Sequence, residues 1–258
     1  MLPTFGAALL ALSAAQAQPE ADLTLPFTLE AGLPVLQARI DGRDARLLID
    51  SGGAAALALR PDWAPAAEAA GTVSTQDAQG QVRPAAPLVV GEVVLAGHGL
   101  PVAPPAQTWS KAKRPADTDG YLGWGWLRER RWVVDYAARS LTRLAPRSPW
   151  PAGCGGAPLP LEMIGSLAVV RLQATDGQPL VLGLDTGASR NVVRPDRIDA
   201  VAGPLRTDDG RALQPGRFVG VPLQVPGLDG FLGQDFLSRH RVCVDPAGRQ
   251  LRLQPLAG

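Results

Sequence analysis

Two stretches of this chain share one plan, and that sharing constrains the fold more than any other feature. Residues 47–59 read LLIDSGGAAALAL and residues 180–193 read LVLGLDTGASRNVV. Each is an apolar run that ends in an acid, a hydroxyl residue and a glycine before the chain turns apolar again. Taken singly, either stretch is a strand stopping in a turn, because Asp, Ser and Gly are turn formers. The correspondence continues on both sides. Arg-Pro-Asp begins at Arg60, ten residues after Asp50, and again at Arg194, nine residues after Asp185. Asp-Gly stands nine residues before each acid, at Asp41-Gly42 and Asp176-Gly177. Further on, DGYLGWGWLRERRWVVDYAARSLTRL (residues 119–144) mirrors DGFLGQDFLSRHRVCVDPAGRQLRL (residues 229–253). Landmarks kept in one order are the mark of an internal repeat.

The halves run from 23 to 147 and from 157 to 258, with 148–156 as a Pro- and Gly-rich linker. Short apolar runs punctuated by turn residues, with 29 Gly and 25 Pro in 258 residues, argue for mostly β structure. Asp-Gly between apolar runs signals a hairpin, so each acid is expected to close the second strand of one. Short helices are expected after the two Leu-Gly pairs, around WLRER and FLSRH. The first half is longer: 69 residues separate Asp50 from Asp119, and 44 separate Asp185 from Asp229. Part of the excess is PPAQTWSKAKRPADT (104–118), which holds both lysines of the chain. It reads as a solvated loop, or alternatively as a loop bordering a cleft.

Several function classes fall away. A formal net charge of +1 with no clustered basic stripe gives no case for nucleic acid. Beyond the N-terminus nothing approaches the length of a membrane span. The N-terminus itself reads as a secretory signal, residues 1–17, with an apolar core from Phe5 to Ala14 and an Ala15-Gln16-Ala17 cleavage site. Its n-region lacks Lys and Arg, so an uncleaved apolar tail or a misassigned start is the alternative. A periplasmic or secreted protein is expected, with no membrane association once the signal is removed. Export would put Cys154 and Cys243, the two cysteines of the chain, in an oxidising compartment. A disulfide between them is the expectation, and two unrelated thiols the alternative. His98 and His240 sit in different halves without partners at ligand spacing, so no metal is expected. No phosphate loop or nucleophile elbow is present, and no cofactor is expected.

The repeat gives the acids a purpose. A duplicated fold commonly sets equivalent residues around a pseudo-twofold axis, which brings Asp50 and Asp185 face to face. Two carboxylates about 3 Å apart cannot both ionise and share one proton. The ionised member can take a proton from water while the protonated member polarises a carbonyl. Ser51 and Thr186 would hydrogen-bond across the axis, and Gly52 and Gly187 would let backbone donors reach the carboxylates.

Asp-Ser-Gly and Asp-Thr-Gly, each followed later by Tyr121-Leu122-Gly123 or Phe231-Leu232-Gly233, resemble the aspartic peptidases. The shorter features, GLDGFLGQDFLSRH above all, are most similar to the retropepsin-like branch and its bacterial members. The resemblance spans nearly all of both halves. It implies a mostly β fold of two pseudo-twofold-related barrel lobes with the catalytic pair at the floor of a central cleft. It implies that Leu122-Gly123 and Leu232-Gly233 lie on strands passing beside the acid loops. It also implies glycine-tipped flaps, for which Gly80 and Gly210 are candidates, with ordinary hairpins as the alternative. Retroviral members carry one lobe and dimerise, so a chain with both lobes is expected to be a monomer. The implied activity is an aspartic endopeptidase with a peptide or protein substrate. Three departures stand out: Gly53 and Ala54 where hydroxyls are usual, no tyrosine near Gly80, and Gly125 where the second half has Asp235. The alternatives are a peptide-binding protein that kept the cleft without turnover, and a processing enzyme with very few partners.

Overall fold

The computed structural model describes residues 21–63, 73–76, 81–109 and 117–256. Each acid ends a hairpin. Leu33–Ile40 pairs with Arg43–Asp50 through Val35↔Leu48 to Ile40↔Arg43. The two turn residues between them, Asp41 and Gly42, both have positive φ, 48° and 77°, as a two-residue turn matching strand twist demands. In the second half Leu167–Gln173 pairs with Pro179–Leu184, and Asp185 follows directly.

A third strand then enters between chain segments that are distant in sequence. Gly120–Gly123 runs parallel to Arg43–Asp50, with Leu122 opposite Ile49 and Gly123 opposite Asp50, and antiparallel to Leu57–Leu59. Gly230–Leu232 does the same between Pro179–Leu184 and Asn191–Val193. Both insertions need glycine. A Cβ on Gly120 would stand 2.0 Å from the Ala58 carbonyl oxygen, and one on Gly230 2.3 Å from that of Val192. The flanking leucines fill the core: Leu47, Ile49, Leu57 and Leu122 in one half, Leu182, Leu184, Val193 and Leu232 in the other, all at most 1% exposed. Each such side chain contributes about 1.5–3 kcal/mol on burial.

Among the described residues, the first half builds a nine-stranded sheet and the second an eight-stranded sheet. A six-stranded sheet draws on both halves, in the order Leu23–Pro26, Ser140–Arg143, Trp132–Asp135, His240–Asp245, Gln250–Pro255, Leu159–Pro160. At its centre the equivalent strands Trp132–Asp135 and His240–Asp245 pair antiparallel, Trp132 opposite Val244 and Asp135 opposite Arg241. The two halves therefore share one base, and residues 148–156 cross it as a strap. Cys154 in that strap is joined to Cys243 by a disulfide. Both cysteines are buried with Val133 and Leu144, against the partly buried Trp150.

The structure sharpens one local expectation and corrects another. The short helices are Trp124–Leu127 and Gln234–Leu237, so they start immediately after the Leu-Gly pairs and end before most of WLRER and FLSRH. The N-cap of each helix is the glycine of the pair, still in extended conformation. Of the 104–118 segment, 110–116 lie outside the described residues, and the remainder is not simply a loop. Ala106–Thr108 is a strand, parallel to Leu57–Leu59 and antiparallel to Pro87–Leu88, and Thr118 is fully buried. Its polar sequence concealed a pairing to strands far away in the chain.

Candidate active site

Asp50 is half-buried at the end of its strand. Its Oδ1 accepts hydrogen bonds from the Gly52 amide at 3.0 Å and the Gly53 amide at 2.9 Å. Asp185 is equally half-buried, and its Oδ1 accepts from the Gly187 amide at 2.9 Å. The hydroxyl residues between acid and glycine cross to the opposite loop. Ser51 Oγ donates to the Leu184 carbonyl at 2.8 Å and accepts from the Thr186 amide at 3.0 Å. Thr186 Oγ1 donates to the Ile49 carbonyl at 2.8 Å and accepts from the Ser51 amide at 2.9 Å. Ser51 and Thr186 are 0% and 1% exposed, so the four bonds form away from water.

That lattice sets each carboxylate against the other loop. A Cβ on Gly52 would lie 2.6 Å from Asp185 Cγ, and a Cβ on Gly187 would lie 2.6 Å from Asp50 Cγ. Glycine is required at both positions because the opposite acid occupies the space. Leu122 and Leu232 pack beneath. Gly123 and Gly233 let the loops fold close: their Cβ atoms would stand 2.4 Å from the Ala55 carbonyl oxygen and 2.2 Å from that of Arg190.

Two of the departures from the family pattern, Gly53 and Gly125, have local causes. Gly53 lies under the ring of Tyr121, whose Cε2 would be 2.5 Å from a Cβ there. Burial pushes the Tyr121 phenol well above its ordinary range, and the Asp50 charge adds to the effect while a hydrogen bond involving Ala55 opposes it. Tyr121 also takes Trp109 edge-on, with ring centroids 5.2 Å apart. At Gly125 a Cβ would meet the Ala56 amide nitrogen at 2.6 Å. At the equivalent place in the second half, the Asp235 carboxylate accepts from the Asn191 amide at 3.2 Å. The first loop packs its backbone where the second places a side chain.

Three polar contributors escaped the sequence reading. Asn191 is fully buried, accepts from the Gly233 amide at 2.9 Å and donates to the Pro215 carbonyl at 2.7 Å. Gln234 donates to the Thr186 carbonyl at 2.7 Å and to the Tyr136 hydroxyl at 3.0 Å. Burial raises the Tyr136 phenol, opposed by the Gln234 hydrogen bond and reinforced by the Asp185 charge. The available signal was the repeat itself, which sets polar Gln234 opposite Trp124.

The other expected residues lie elsewhere. Gly80 falls outside the described residues, between strands Val73–Gln76 and Val82–Ala85, which pair with each other. Gly210, at φ 81°, is in the turn between Leu205–Arg206 and Ala212–Leu213. That hairpin joins the sheet at Gln173, the end of its strand remote from Asp185, and Arg211 donates to the Ala157 carbonyl at 3.2 Å. Arg211 thus ties the hairpin to the chain just after the linker, at the end of the strand away from Asp185. Cys243 lies in a strand of the shared base, and Cys154 in the strap joined to it.

Two solved structures are similar over 92% of this chain. One is the basic 7S globulin from soybean, at 13% identity, a TM-score of 0.63 and 95% coverage of that chain. The other is an aspartic proteinase from Irpex lacteus, at 14% identity, a TM-score of 0.63 and 98% coverage. The fold is the two-lobed fold of pepsin-like aspartic proteinases. No protein-family model matches the sequence, and no curated protein matches it in sequence. At such identities the likeness shows the architecture, and the chemistry rests on the site.

Proposed function

We propose that this protein is an aspartic-type endopeptidase, of the retropepsin-like bacterial kind with both lobes in one chain. The observation that carries the reading is the reciprocal placement of each carboxylate against the glycine of the opposite loop. On this reading the two acids, each set against the other's loop, share one proton. The ionised member takes a proton from a water as that water attacks the peptide carbonyl, and the protonated member donates to the carbonyl oxygen. Ser51 and Thr186 hold the loops, so the acids need little reorganisation to act.

The substrate class is a peptide or protein. The monomer, with export to the periplasm or outside the cell, completes the proposal, motivated by two acid loops in one chain and the signal-like N-terminus. A second reading, a binding protein of this fold, is favoured by one point: one of the similar structures named above bears the name of a globulin and not of a proteinase. The test is cleavage of a diverse peptide mixture from about pH 3 to pH 8, with Asp185→Asn as control. The proposal expects bell-shaped cleavage that disappears in the variant. No cleavage at any pH, with tight peptide binding, supports the binding reading.

A further inference from the structure

Beneath the acid loops lies a buried amide with no counterpart in the other half. Gln234 follows Leu232-Gly233 directly and is 5% exposed. The same amide atom touches the Thr186 carbonyl and the Tyr136 hydroxyl. A carbonyl only accepts, so this atom is the nitrogen and the orientation is settled. The cost is visible on the other side, where Gln234 Oε1 is buried without a hydrogen-bond partner among the described residues. Trp124 occupies the equivalent position in the first half, and its indole nitrogen is likewise buried without a partner among the described residues. The Thr186 carbonyl belongs to the same peptide unit as the Gly187 amide, and that amide donates to Asp185 Oδ1.

We propose that Gln234 is a positioning residue that acts on Asp185 through the Thr186–Gly187 peptide. Its amide donates to the carbonyl end of that peptide, and the polarised N–H end grips the Asp185 carboxylate more firmly. Hydrogen bonds in a chain reinforce one another, and a donor to the charged form favours that form. Gln234 therefore stabilises ionised Asp185, and without it the shared proton moves toward Asp185 and away from Asp50. The titratable groups near Asp185 include Tyr136, whose phenol feels the Asp185 charge, and Asp50, two residues before the Gly52 that lies against the Asp185 carboxylate. Asp235, next to Gln234, is engaged by the Asn191 amide. The reactive role of the pair rests on the peptidase reading, but the relay itself is a statement about hydrogen bonds and protonation.

The test follows the carbon-13 carboxyl resonances of the full chain against pH, assigned with Asp50→Asn and Asp185→Asn. Gln234→Met fills the same volume without a donor. Gln234→Asn keeps the amide but is one methylene short of Thr186, and serves if the Met variant does not fold. The Asp185 titration should move up by about half a pH unit or more in either variant. An Asp185 titration unchanged from the wild type in a folded variant overturns the proposal. So does the absence, in the wild type, of through-bond coupling between Gln234 Nε2 and the Thr186 carbonyl carbon. Neither readout needs turnover: a protein that shows the shift but cleaves no peptide would sink the peptidase reading and leave the relay standing.

Discussion

Ser51 has its hydroxyl 2.8 Å from the Leu184 carbonyl and 3.0 Å from the Thr186 amide, both in the opposite half of the chain. Removing that oxygen strands two buried backbone groups, and each costs about 1–3 kcal/mol when left unpaired. Ser51→Ala should therefore lower the unfolding free energy in urea by roughly 2–6 kcal/mol. Thr186→Ser deletes one methyl and keeps the hydroxyl, so it should cost only about 1 kcal/mol. Equal losses in the two variants would mean that packing, and not the crossed bonds, holds the loops. The sequence already showed these residues in their role, because the repeat set two hydroxyls at the same offset from two acids. Gln234 and Tyr136 were not legible. They stand 98 residues apart, and nothing local in either half marks them as partners.

Among the elements, the strand pair at the centre of the shared base carries a charge contact of its own. Arg241 on one strand donates through Nε to Asp135 Oδ2 on the other at 2.8 Å, with a second, closer contact from Nη2. Burial pushes the Asp135 carboxyl up, but the Ala138 amide and the Arg241 guanidinium outweigh it, and the net shift is downward. A carboxyl lowered in the folded state contributes stability above its unfolded value of about 3.9. That contribution is lost as pH falls through the lower folded value. Acid unfolding should therefore steepen below about pH 4 in the wild type. Asp135→Asn, less stable at neutral pH, should flatten that limb, and identical acid limbs would remove Asp135 from the linkage. The hairpins and inserted Leu-Gly strands were legible because tight turns and close backbone approaches leave glycine as their local trace. The Ala106–Thr108 strand was not, since its partners are Leu57–Leu59 and Pro87–Leu88 and its own residues look like loop. Gly210 shows the converse: a turn signal read correctly as a turn says nothing of which end of the sheet it occupies.

For the molecule as a whole, everything depends on two halves held in one frame. The shared six-stranded base does this, and the Cys154–Cys243 disulfide straps the linker to it across a sequence separation of 89 residues. In the chain-entropy picture, closing a loop of that length stabilises by at most about 4–5 kcal/mol. Reduction should lower the urea midpoint accordingly, and an unchanged midpoint would show that the strap holds without its covalent tie. The central claim is that the frame makes Asp50 and Asp185 one device. The most direct test is kcat for the wild type, Asp50→Asn, Asp185→Asn and the double variant on one peptide that the wild type cleaves. Groups that act as a unit lose nearly everything in the first substitution. Each single variant should fall to near background, with the double variant little worse. A folded single variant that keeps most of the wild-type turnover would contradict the account.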